Sequence, residues 1–384
     1  MAEGIKAIRR VVTGNDAQGR SHVLYDGAAP RVKASAFKKG TGMTDIWMFD
    51  RSPAPLSGDR DDGDLPFHFE PPEYGGRLRI VQSDARPGVY DPSQDSYVTA
   101  EHAPRKTEGG TWERGRQNLY TTRIHKSETL DYGIVLSGER VLITDADRHL
   151  LKPGDVCIQI GSWHAREETA QGSQMAFVMM AGRFEQRAPG AGNPPGEGGR
   201  TGGDETGSPS KGLRRIVVID EDGRSKAIAD GPTPDVQTDP ARPGFASARM
   251  WVSDGTPVPL SNLRESLGKP HALEPPPDGS VCRVVTYPPE RGYIDRKEVQ
   301  AYFERMGSPA ASKYSPDGRH PYMQKTRTLD FCLVIEGEIT LVLDTDEVQL
   351  KAGDTVVQRG TAHAWSNRSD RVCIVAFSSH DGAC

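Results

Sequence analysis

The chain has 384 residues, of which 35% are hydrophobic, and a formal net charge of −5 at pH 7. These values are typical of a two-domain globular protein, and the 53 acids against 48 bases argue against a basic nucleic-acid-binding surface. We expect no membrane segment, since no apolar run approaches roughly 20 residues, and a cytoplasmic location, since the first residues lack a secretory signal. The five cysteines are odd in number and lack C-x-x-C spacing, so no disulfide framework is expected.

The predicted elements are short β-strands. Apolar runs separated by Gly turns predict strands at 132–136, 141–144, 155–160 and 175–180, and again at 331–335, 339–343, 355–358 and 372–377. One short helix is predicted at Arg296–Arg305. Residues 185–212 are rich in Gly and Pro and predict a flexible linker. Closely spaced short strands with Gly turns indicate an all-β sandwich or small barrel.

A long internal repeat fixes the domain organisation. Leu130–Glu139 returns as Leu329–Glu338, and Gly161–Ala165 returns as Gly360–Ala364, both at an offset of 199 residues. Such a period is too long for a solenoid and indicates two complete domains. The predicted domains are 1–184, with a barrel at about 120–182, and 213–384, with a barrel at about 319–378, each with an N-terminal extension.

Two motifs lie in the first copy: His125, Asp131 and Gly138 form the first, and Pro153–Asp155 with Gly161–His164 form the second. Their spacing resembles that of the cupin superfamily. The second copy keeps most of this pattern, and its residues 358–365, Gln-Arg-Gly-Thr-Ala-His-Ala-Trp, closely resemble conserved-barrel cupins. The chain therefore resembles a two-domain cupin, or bicupin. The resemblance implies tandem jelly-roll β-barrels joined by the flexible linker, with extensions that exchange strands between the halves.

The first copy supplies a candidate metal site. His125, Asp131 and His164 form a two-histidine, one-carboxylate set, which suits Fe, Mn, Ni or Zn and leaves positions open for a substrate. Asp131 is one methylene shorter than the usual Glu, and Ser127 stands at the usual second His position. The alternative is structural: Asp131 holds a turn or pairs with a base, and His164 closes a hydrogen bond inside the barrel.

Gln159 and Gln358 occupy matched positions, five residues before each barrel histidine. A buried amide must find partners, so Gln159 either orients a ligand or His164 in catalysis or bonds a neighbouring strand. In the second copy Asp330, His363 and Gln358 form a weaker candidate site, because Gln324 replaces the first histidine. A structural role or a metal-free pocket is the alternative there.

The leading hypothesis is a metal-dependent enzyme acting on a small organic substrate in barrel 1, by dioxygenase, decarboxylase or isomerase chemistry. The family resemblance favours an aromatic or polyketide-like substrate. One alternative is a non-catalytic binding or storage bicupin, and another is a metal-free lyase or isomerase that uses His164 or His363 as acid and base. We expect a monomer or homodimer.

Overall fold

The structure, a computed structural model, describes residues 4–58, 60–184, 211–261, 263–290, 292 and 295–384. Of the predicted linker 185–212, only the last two positions fall within these ranges. The fold is all-β with tandem cupin barrels, as predicted. No helix among the described residues is long and apolar enough to cross a membrane.

The described residues form 25 strands and one α-helix. The strands of the first half are β1 (Arg9–Asn15), β2 (Ser21–Ala28), β3 (Arg31–Ala34), β4 (Gly42–Phe49), β5 (Ala54–Pro55), β6 (Gly76–Ser83), β7 (Glu101–Lys106), β8 (Trp112–Gly115), β9 (Ile124–Lys126), β10 (Thr129–Ile143), β11 (Arg148–Leu151), β12 (Val156–Ile160) and β13 (Ala165–Arg183). Those of the second half are β14 (Arg214–Glu221), β15 (Arg224–Pro232), β16 (Val236–Thr238), β17 (Ala246–Ser253), β18 (Val258–Pro259), β19 (Ser280–Tyr287), β20 (Thr328–Glu336), β21 (Glu338–Leu343), β22 (Glu347–Lys351), β23 (Thr355–Arg359), β24 (His363–Ser366) and β25 (Cys373–Ala383).

The helix α1 (Arg296–Arg305) lies where the sequence predicted it. It begins with a capping box: the Asp295 carboxylate accepts from the backbone N–H of Glu298, and the Glu298 side chain accepts from the N–H of Asp295. Its buried face carries Val299, Tyr302 and Phe303. The helix therefore covers one side of barrel 2, the barrel around residues 319–378.

Two large sheets each combine strands from both halves of the sequence. Their strand orders are β16-β17-β19-β25-β20-β23-β1-β2 and β15-β14-β12-β10-β13-β6-β4-β3. β1 pairs in parallel with β23, with Arg10 opposite Thr355. β14 likewise pairs in parallel with β12 of barrel 1, the barrel around residues 120–182, with Arg215 opposite Val156. Each half thus gives a hairpin, β1–β2 or β14–β15, to the other half's barrel, as the resemblance implied.

An arginine clamp holds each exchanged hairpin. Arg214 on β14 donates to the Asp155 carboxylate at 2.7 Å and to the Leu150 carbonyl at 2.8 Å. The same guanidinium makes two bonds to Asp230 on β15. Asp155, the acid of the Pro-Gly-Asp turn, also accepts from the backbone N–H of Lys152 at 2.9 Å. The turn acid of barrel 1 is therefore neutralised by a residue of the second half.

The second clamp repeats this arrangement at barrel 2. Arg9 on β1 donates to Asp354 at 3.0 Å and to the Gln349 carbonyl at 2.8 Å, and makes two bonds of 2.8 Å to Asp26 on β2. Asp354 also accepts from the N–H of Lys351 at 3.1 Å. The Asp of each matched turn thus joins the two halves of the chain.

Alternate residues of each barrel strand face two different cores. On β10, Leu130 and Tyr132 belong to a large apolar cluster that also contains Phe331 of the other sheet. Val135 instead packs with Cys157 in a smaller cluster inside barrel 1. Tyr132 and Phe331 are both completely buried, and burial of a side chain of this size stabilises a fold by roughly 1.5–3 kcal/mol. The shared core therefore joins the barrels, and the opposite strand face is left for the interior of each barrel.

Candidate active site

The predicted polar residues of barrel 1 lie on the inner face of the sheet. Asp131 on β10 is directly opposite Gln159 on β12, and both are buried. Their strand neighbours, such as Leu130 and Tyr132, point to the shared core. Because successive side chains of a strand alternate between faces, Asp131 and Gln159 face the interior of barrel 1.

His125 and His164 form an imidazole pair at this interior. Their backbones exchange two hydrogen bonds of 2.9 and 3.0 Å, and their ring centroids are 4.3 Å apart. The Nδ1 atom of His125 lies 2.8 Å from the Arg123 carbonyl, and that of His164 lies 2.9 Å from the Ser162 carbonyl. A carbonyl can only accept, so Nδ1 carries the proton in both rings and Nε2 is left as the basic nitrogen.

Burial keeps both imidazoles neutral. It lowers the pKa of His125 to about 4, helped by the nearby charge of Arg166. Burial also lowers the pKa of His164 well below its usual value, a proton on His125 would lower it further, and so does the charge of Arg166. Two neutral imidazoles side by side offer their Nε2 lone pairs to a hydrogen-bond donor or a Lewis acid, and the lowered pKa makes each a weaker base than free imidazole.

Arg166 on β13 is a buried cation in the same interior. Its guanidinium donates to the Oε1 atom of Gln159 and lies 4.5 Å from the ring centroid of Phe177. Burial lowers the pKa of Arg166, although the carboxyl of Asp131 partly opposes this. Gln159 on β12 thus accepts a hydrogen bond from across β10, and through that bond it positions Arg166.

Several polar atoms in this interior have no hydrogen-bond partner among the described residues. They are the Oδ1 atom of Asp131, the Nε2 atom of Gln159 and the Nε atom of Arg166. Burial raises the pKa of Asp131 to about 6, and hydrogen bonding to Thr129 and the charge of Arg166 limit the rise. Buried polar groups normally have partners, so these three atoms are an unsatisfied set of one acceptor and two donors in the interior of barrel 1.

The predicted metal-ligand set is only partly brought together. His125 and His164 are paired, but the described residues contain no group of three His, Cys, Asp or Glu side chains that could hold a metal ion, so Asp131 does not complete the set. Ser127, at the usual second His position, bonds the Thr129 hydroxyl at 2.6 Å. The charge of Arg166 also disfavours a nearby divalent cation. This side-chain arrangement does not fit a three-ligand metal centre, and the metal stays a prediction.

In barrel 2, His363 matches His164, and both of its ring nitrogens are hydrogen-bonded. The Nδ1 atom of His363 lies 2.9 Å from the Thr361 carbonyl, and its Nε2 atom lies 3.0 Å from the side-chain nitrogen of Gln324. Asp330 accepts from the Thr328 hydroxyl at 3.0 Å, and burial raises its pKa. Gln324 thus occupies the nitrogen of His363 that a metal would need.

Asp330 and His363 line a small cavity of about 20 Å³ inside barrel 2. Gln358, the third residue of the weaker predicted site, lies opposite Asp330 in the ladder and is completely buried. Neither polar atom of the Gln358 amide has a hydrogen-bond partner among the residues that the structure describes. Of the three residues of the predicted second site, Asp330 and His363 thus line the cavity and Gln358 does not.

Two arginines at these sites were missed by the sequence prediction. Arg166 follows the barrel histidine by two residues, and the matched position in the second copy is Trp365. The two residues face equivalent neighbours, since Arg166 pairs with Leu142 and Trp365 with Leu341. This difference between the copies was a usable signal. Arg283, which lines the barrel 2 cavity, lies outside both cupin motifs and gave no such signal.

Comparison with known proteins supports the family assignment. The family model "Cupin domain" matches residues 312–378. Phomopsin biosynthesis cluster protein C' of Diaporthe leptostromiformis is 51% identical over 53 residues, 14% of this chain and 28% of that protein. The cupin-domain-containing oxidoreductase virC of Hypocrea virens is 46% identical over 46 residues, 12% and 24% of the two chains. The chain thus spans less than a third of the length of either relative.

The fold is also similar to that of solved structures. One is the glyoxylate-induced protein of Pseudomonas aeruginosa, with a TM-score of 0.41 and 13% identity over 92% of this chain and 84% of that one. Residues 312–378 thus match the cupin family model, and the two motif-bearing barrels give the chain the fold of tandem cupin domains.

Proposed function

We propose that the protein is an enzyme that acts on a small organic acid inside barrel 1. In this proposal the imidazoles of His125 and His164 move a proton, and Arg166 holds the carboxylate of the substrate. The observation that carries the proposal is the imidazole pair, 4.3 Å between centroids, with each Nδ1 on a backbone carbonyl. The fixed ring orientations leave two Nε2 atoms as proton acceptors, and a positioned general base contributes typically 10²–10⁴-fold to a rate, less when its pKa lies well below the working pH.

Arg166 supports an acidic substrate. Its Nε–H has no partner among the described residues, and its bond to Gln159 fixes the plane of the guanidinium. A planar guanidinium matches a carboxylate in geometry and charge. The unpartnered Oδ1 atom of Asp131 then faces a donor group of the same substrate. An aromatic or polyketide-like acid stays the preferred substrate on the family resemblance, and one relative is named as a protein of a biosynthesis cluster.

A metal-dependent oxidoreductase is the second candidate. It is favoured by the name of virC, a cupin-domain-containing oxidoreductase, and by the two neutral imidazoles, since Fe, Mn, Ni and Zn all take imidazole nitrogen. It requires ligands beyond His125 and His164, because the described residues supply no group of three.

The test is a turnover screen in D₂O followed by NMR. Wild-type protein is incubated with small aromatic and polyketide-type carboxylic acids, first with EDTA and then with added Fe²⁺, Mn²⁺, Ni²⁺ or Zn²⁺. His164→Ala and Arg166→Gln probe the site. His363→Ala, at the matched position in barrel 2, and His68→Ala, at an exposed residue, are the controls.

We expect proton exchange or turnover that persists in EDTA and falls about 10²–10⁴-fold in His164→Ala. Arg166→Gln should mainly raise KM, and the two controls should resemble the wild type. Turnover that requires one bound metal per chain, with that metal lost in His164→Ala, would replace this proposal with the oxidoreductase. Binding of acids without turnover under any condition would indicate a non-catalytic binding protein.

A further inference from the structure

Two matched loops place a cation against each barrel. Loop 1 (residues 35–40) joins β3 to β4, and loop 2 (residues 239–244) joins β16 to β17. Each loop ends in a glycine with positive φ, 71° at Gly40 and 92° at Gly244. Two residues before that glycine stands Lys38 in loop 1 and Arg242 in loop 2. The two loops therefore have the same place in the fold, and their contacts can be compared position by position.

Loop 2 is fixed by a stacked arginine. The guanidinium carbon of Arg242 lies 4.1, 4.5 and 3.6 Å from the ring centroids of Phe245, Tyr302 and Tyr322. The same guanidinium donates at 2.8 Å to Asp239, whose side chain is completely buried. Tyr302 also lines the cavity inside barrel 2. A cation that is both stacked and paired in a buried place is costly to withdraw, so loop 2 closes barrel 2 at this point.

The aspartate of loop 2 also ties it to helix α1. The Asp239 carboxylate accepts from Arg305 of the helix at 2.7 Å and from the Tyr322 hydroxyl at 2.9 Å. Pro240 and Pro243 lie on either side of the arginine, and each proline fixes its own φ angle. Loop 2 is therefore held by the helix, by the barrel and by its own backbone.

Barrel 1 holds the matched lysine less firmly. Lys38 forms an ion pair with Glu168 of β13, and its Nζ atom lies 4.1 Å from the ring centroid of Tyr120. Burial lowers the pKa of Lys38 to about 8, helped by the nearby charge of Arg140. Among the described residues, this cation thus has one paired carboxylate and one stacked ring, and a like charge opposes it.

The other positions of loop 1 also differ from those of loop 2. Ser35 stands where loop 2 has its buried aspartate, and its hydroxyl accepts from two backbone N–H groups of loop 1 itself at 3.2 Å. Ala36 and Lys39 replace the two prolines. Phe37 is 70% exposed and packs on the ring of Tyr97 at 5.0 Å. A chain without proline has more accessible conformations, so loop 1 moves at a lower cost than loop 2.

Behind Lys38 lies the interior of barrel 1. Glu168 is opposite Arg140 in the ladder of β10 and β13, and Arg166 is opposite Leu142, two residues further along each strand. These four residues are all buried. Lys38 is thus the outermost charge of a line that reaches Arg166, and movement of loop 1 uncovers the end of that line.

We propose that loop 1 is a gate to the interior of barrel 1, and that loop 2 keeps barrel 2 closed. Opening breaks the ion pair between Lys38 and Glu168 and the contact with Tyr120, and loop 1 then moves away from the barrel. Small molecules enter barrel 1 by this route. The gate does not depend on the chemistry proposed for barrel 1, because it concerns access alone.

Buried cysteines report on the opening of each barrel. Cys157 lies in the apolar cluster inside barrel 1, and Cys332 lies in the cluster of barrel 2 that contains Tyr302. Cys282 lies in the core that the barrels share and reports global unfolding. The full chain is treated with iodoacetamide, and peptide mass spectrometry gives the labelling rate of each cysteine. Each rate is divided by that of the same cysteine in the urea-unfolded chain.

Three variants test the loops. Lys38→Met removes the charge and keeps most of the side-chain length, and Arg242→Met is the matched change in loop 2. Lys152→Met, at an exposed lysine of the first half, is the control. Urea unfolding and far-UV circular dichroism check that each variant is folded.

In the wild type we expect Cys157 to be labelled about tenfold faster than Cys332 and Cys282. Lys38→Met should speed the labelling of Cys157 by about a further tenfold, the effect of losing a mostly buried ion pair, and should leave Cys332 unchanged. Arg242→Met should instead speed the labelling of Cys332. Lys152→Met should resemble the wild type.

Equal rates for Cys157 and Cys282 in the wild type would mean that barrel 1 opens only by global unfolding, and would overturn the proposal. It is also overturned if Cys332 is labelled as fast as Cys157, or if Lys38→Met changes the Cys157 rate no more than Lys152→Met does. Should a variant fail to fold, the wild-type comparison of the three cysteines still decides.

Discussion

Replacing Arg214 with Gln removes the clamp that joins the β14–β15 hairpin to barrel 1. The substitution deletes the ion pair with Asp155, the two bonds to Asp230 and the bond to the Leu150 carbonyl. The side chains of Arg214 and Asp155 are only 19% and 12% exposed. Burial already raises the pKa of Asp155, and Arg214 opposes that rise. Without Arg214 a mostly buried carboxylate keeps only the Lys152 N–H.

The expected cost lies between that of an exposed pair, about 0–1 kcal/mol, and that of breaking a fully buried one, about 3–5 kcal/mol. We therefore expect Arg214→Gln to lower the free energy of unfolding by about 2–3 kcal/mol. Arg9→Gln, in the equivalent but more exposed clamp (34% for the arginine side chain), should cost about 1–2 kcal/mol. The control is Arg148→Gln, whose side chain is 56% exposed and pairs with Glu167.

Urea unfolding followed by tryptophan fluorescence and far-UV circular dichroism measures these differences. Arg148→Gln should stay within about 1 kcal/mol of the wild type. If Arg214→Gln costs no more than Arg148→Gln, the clamp does not hold the hairpin. If Arg9→Gln costs more than Arg214→Gln, exposure does not set the size of the effect.

Three further predictions concern the strand exchange, the Gln324–His363 hydrogen bond and the buried imidazole of His380. Expressed as two polypeptides, residues 1–198 and 199–384, the halves should co-purify in equal amounts, since each supplies a hairpin to the other's barrel; separately folded, non-associating fragments would contradict the exchange. Gln324→Ala leaves Nε2 of His363 unpaired and should cost about 1–2 kcal/mol of unfolding free energy, whereas Gln300→Ala, on the exposed face of α1, should cost little; equal losses in urea unfolding would refute this. Burial lowers the pKa of His380 to about 3 in the folded protein. Its stabilising contribution is therefore fully present above pH 6.5. As the pH falls from 6.5 towards 3, the unfolded state takes up a proton that the folded state does not, and the free energy of unfolding falls by about 1.4 kcal/mol per pH unit. His380→Gln should lack that slope in urea unfolding between pH 7 and 4.5, and an unchanged slope would show that His380 is not buried in its neutral form.

The sequence was sufficient to predict the fold because the repeat and the strand pattern agree. The runs around Asp131 and Asp330 alternate between apolar and small or polar residues, and each is followed by a Gly turn at Gly138 or Gly337. That alternation fixes which face of each strand is buried. The strand that pairs with Arg9–Val12 could not be predicted from these residues, because a parallel strand pair leaves no local turn signal. The exchange came from the family resemblance.

The candidate site was predicted less completely. Motif spacing identified His125 and His164, whose pairing depends on a backbone bridge at the same level of the barrel. Whether the carboxylate of Asp131 comes close to the two imidazoles depends on the length and rotamer of its side chain, which motif spacing does not determine. The bond from Gln324 to His363 joins residues 39 positions apart, and only the folded barrel brings them together. Arg166 and Arg283 were missed because a charged residue in a strand is usually solvent-exposed.

The strand exchange has a genetic consequence. In a homodimer of identical subunits, any substitution appears in both barrels at once, so the two sites cannot become different. Two halves that share strands within one polypeptide keep the paired architecture while each position mutates alone. Matched positions of the two halves do carry different residues, such as Arg166 against Trp365 and His125 against Gln324. A substitution in β1 or β14, by contrast, alters the barrel of the opposite half, so selection on one site acts on the sequence of both halves.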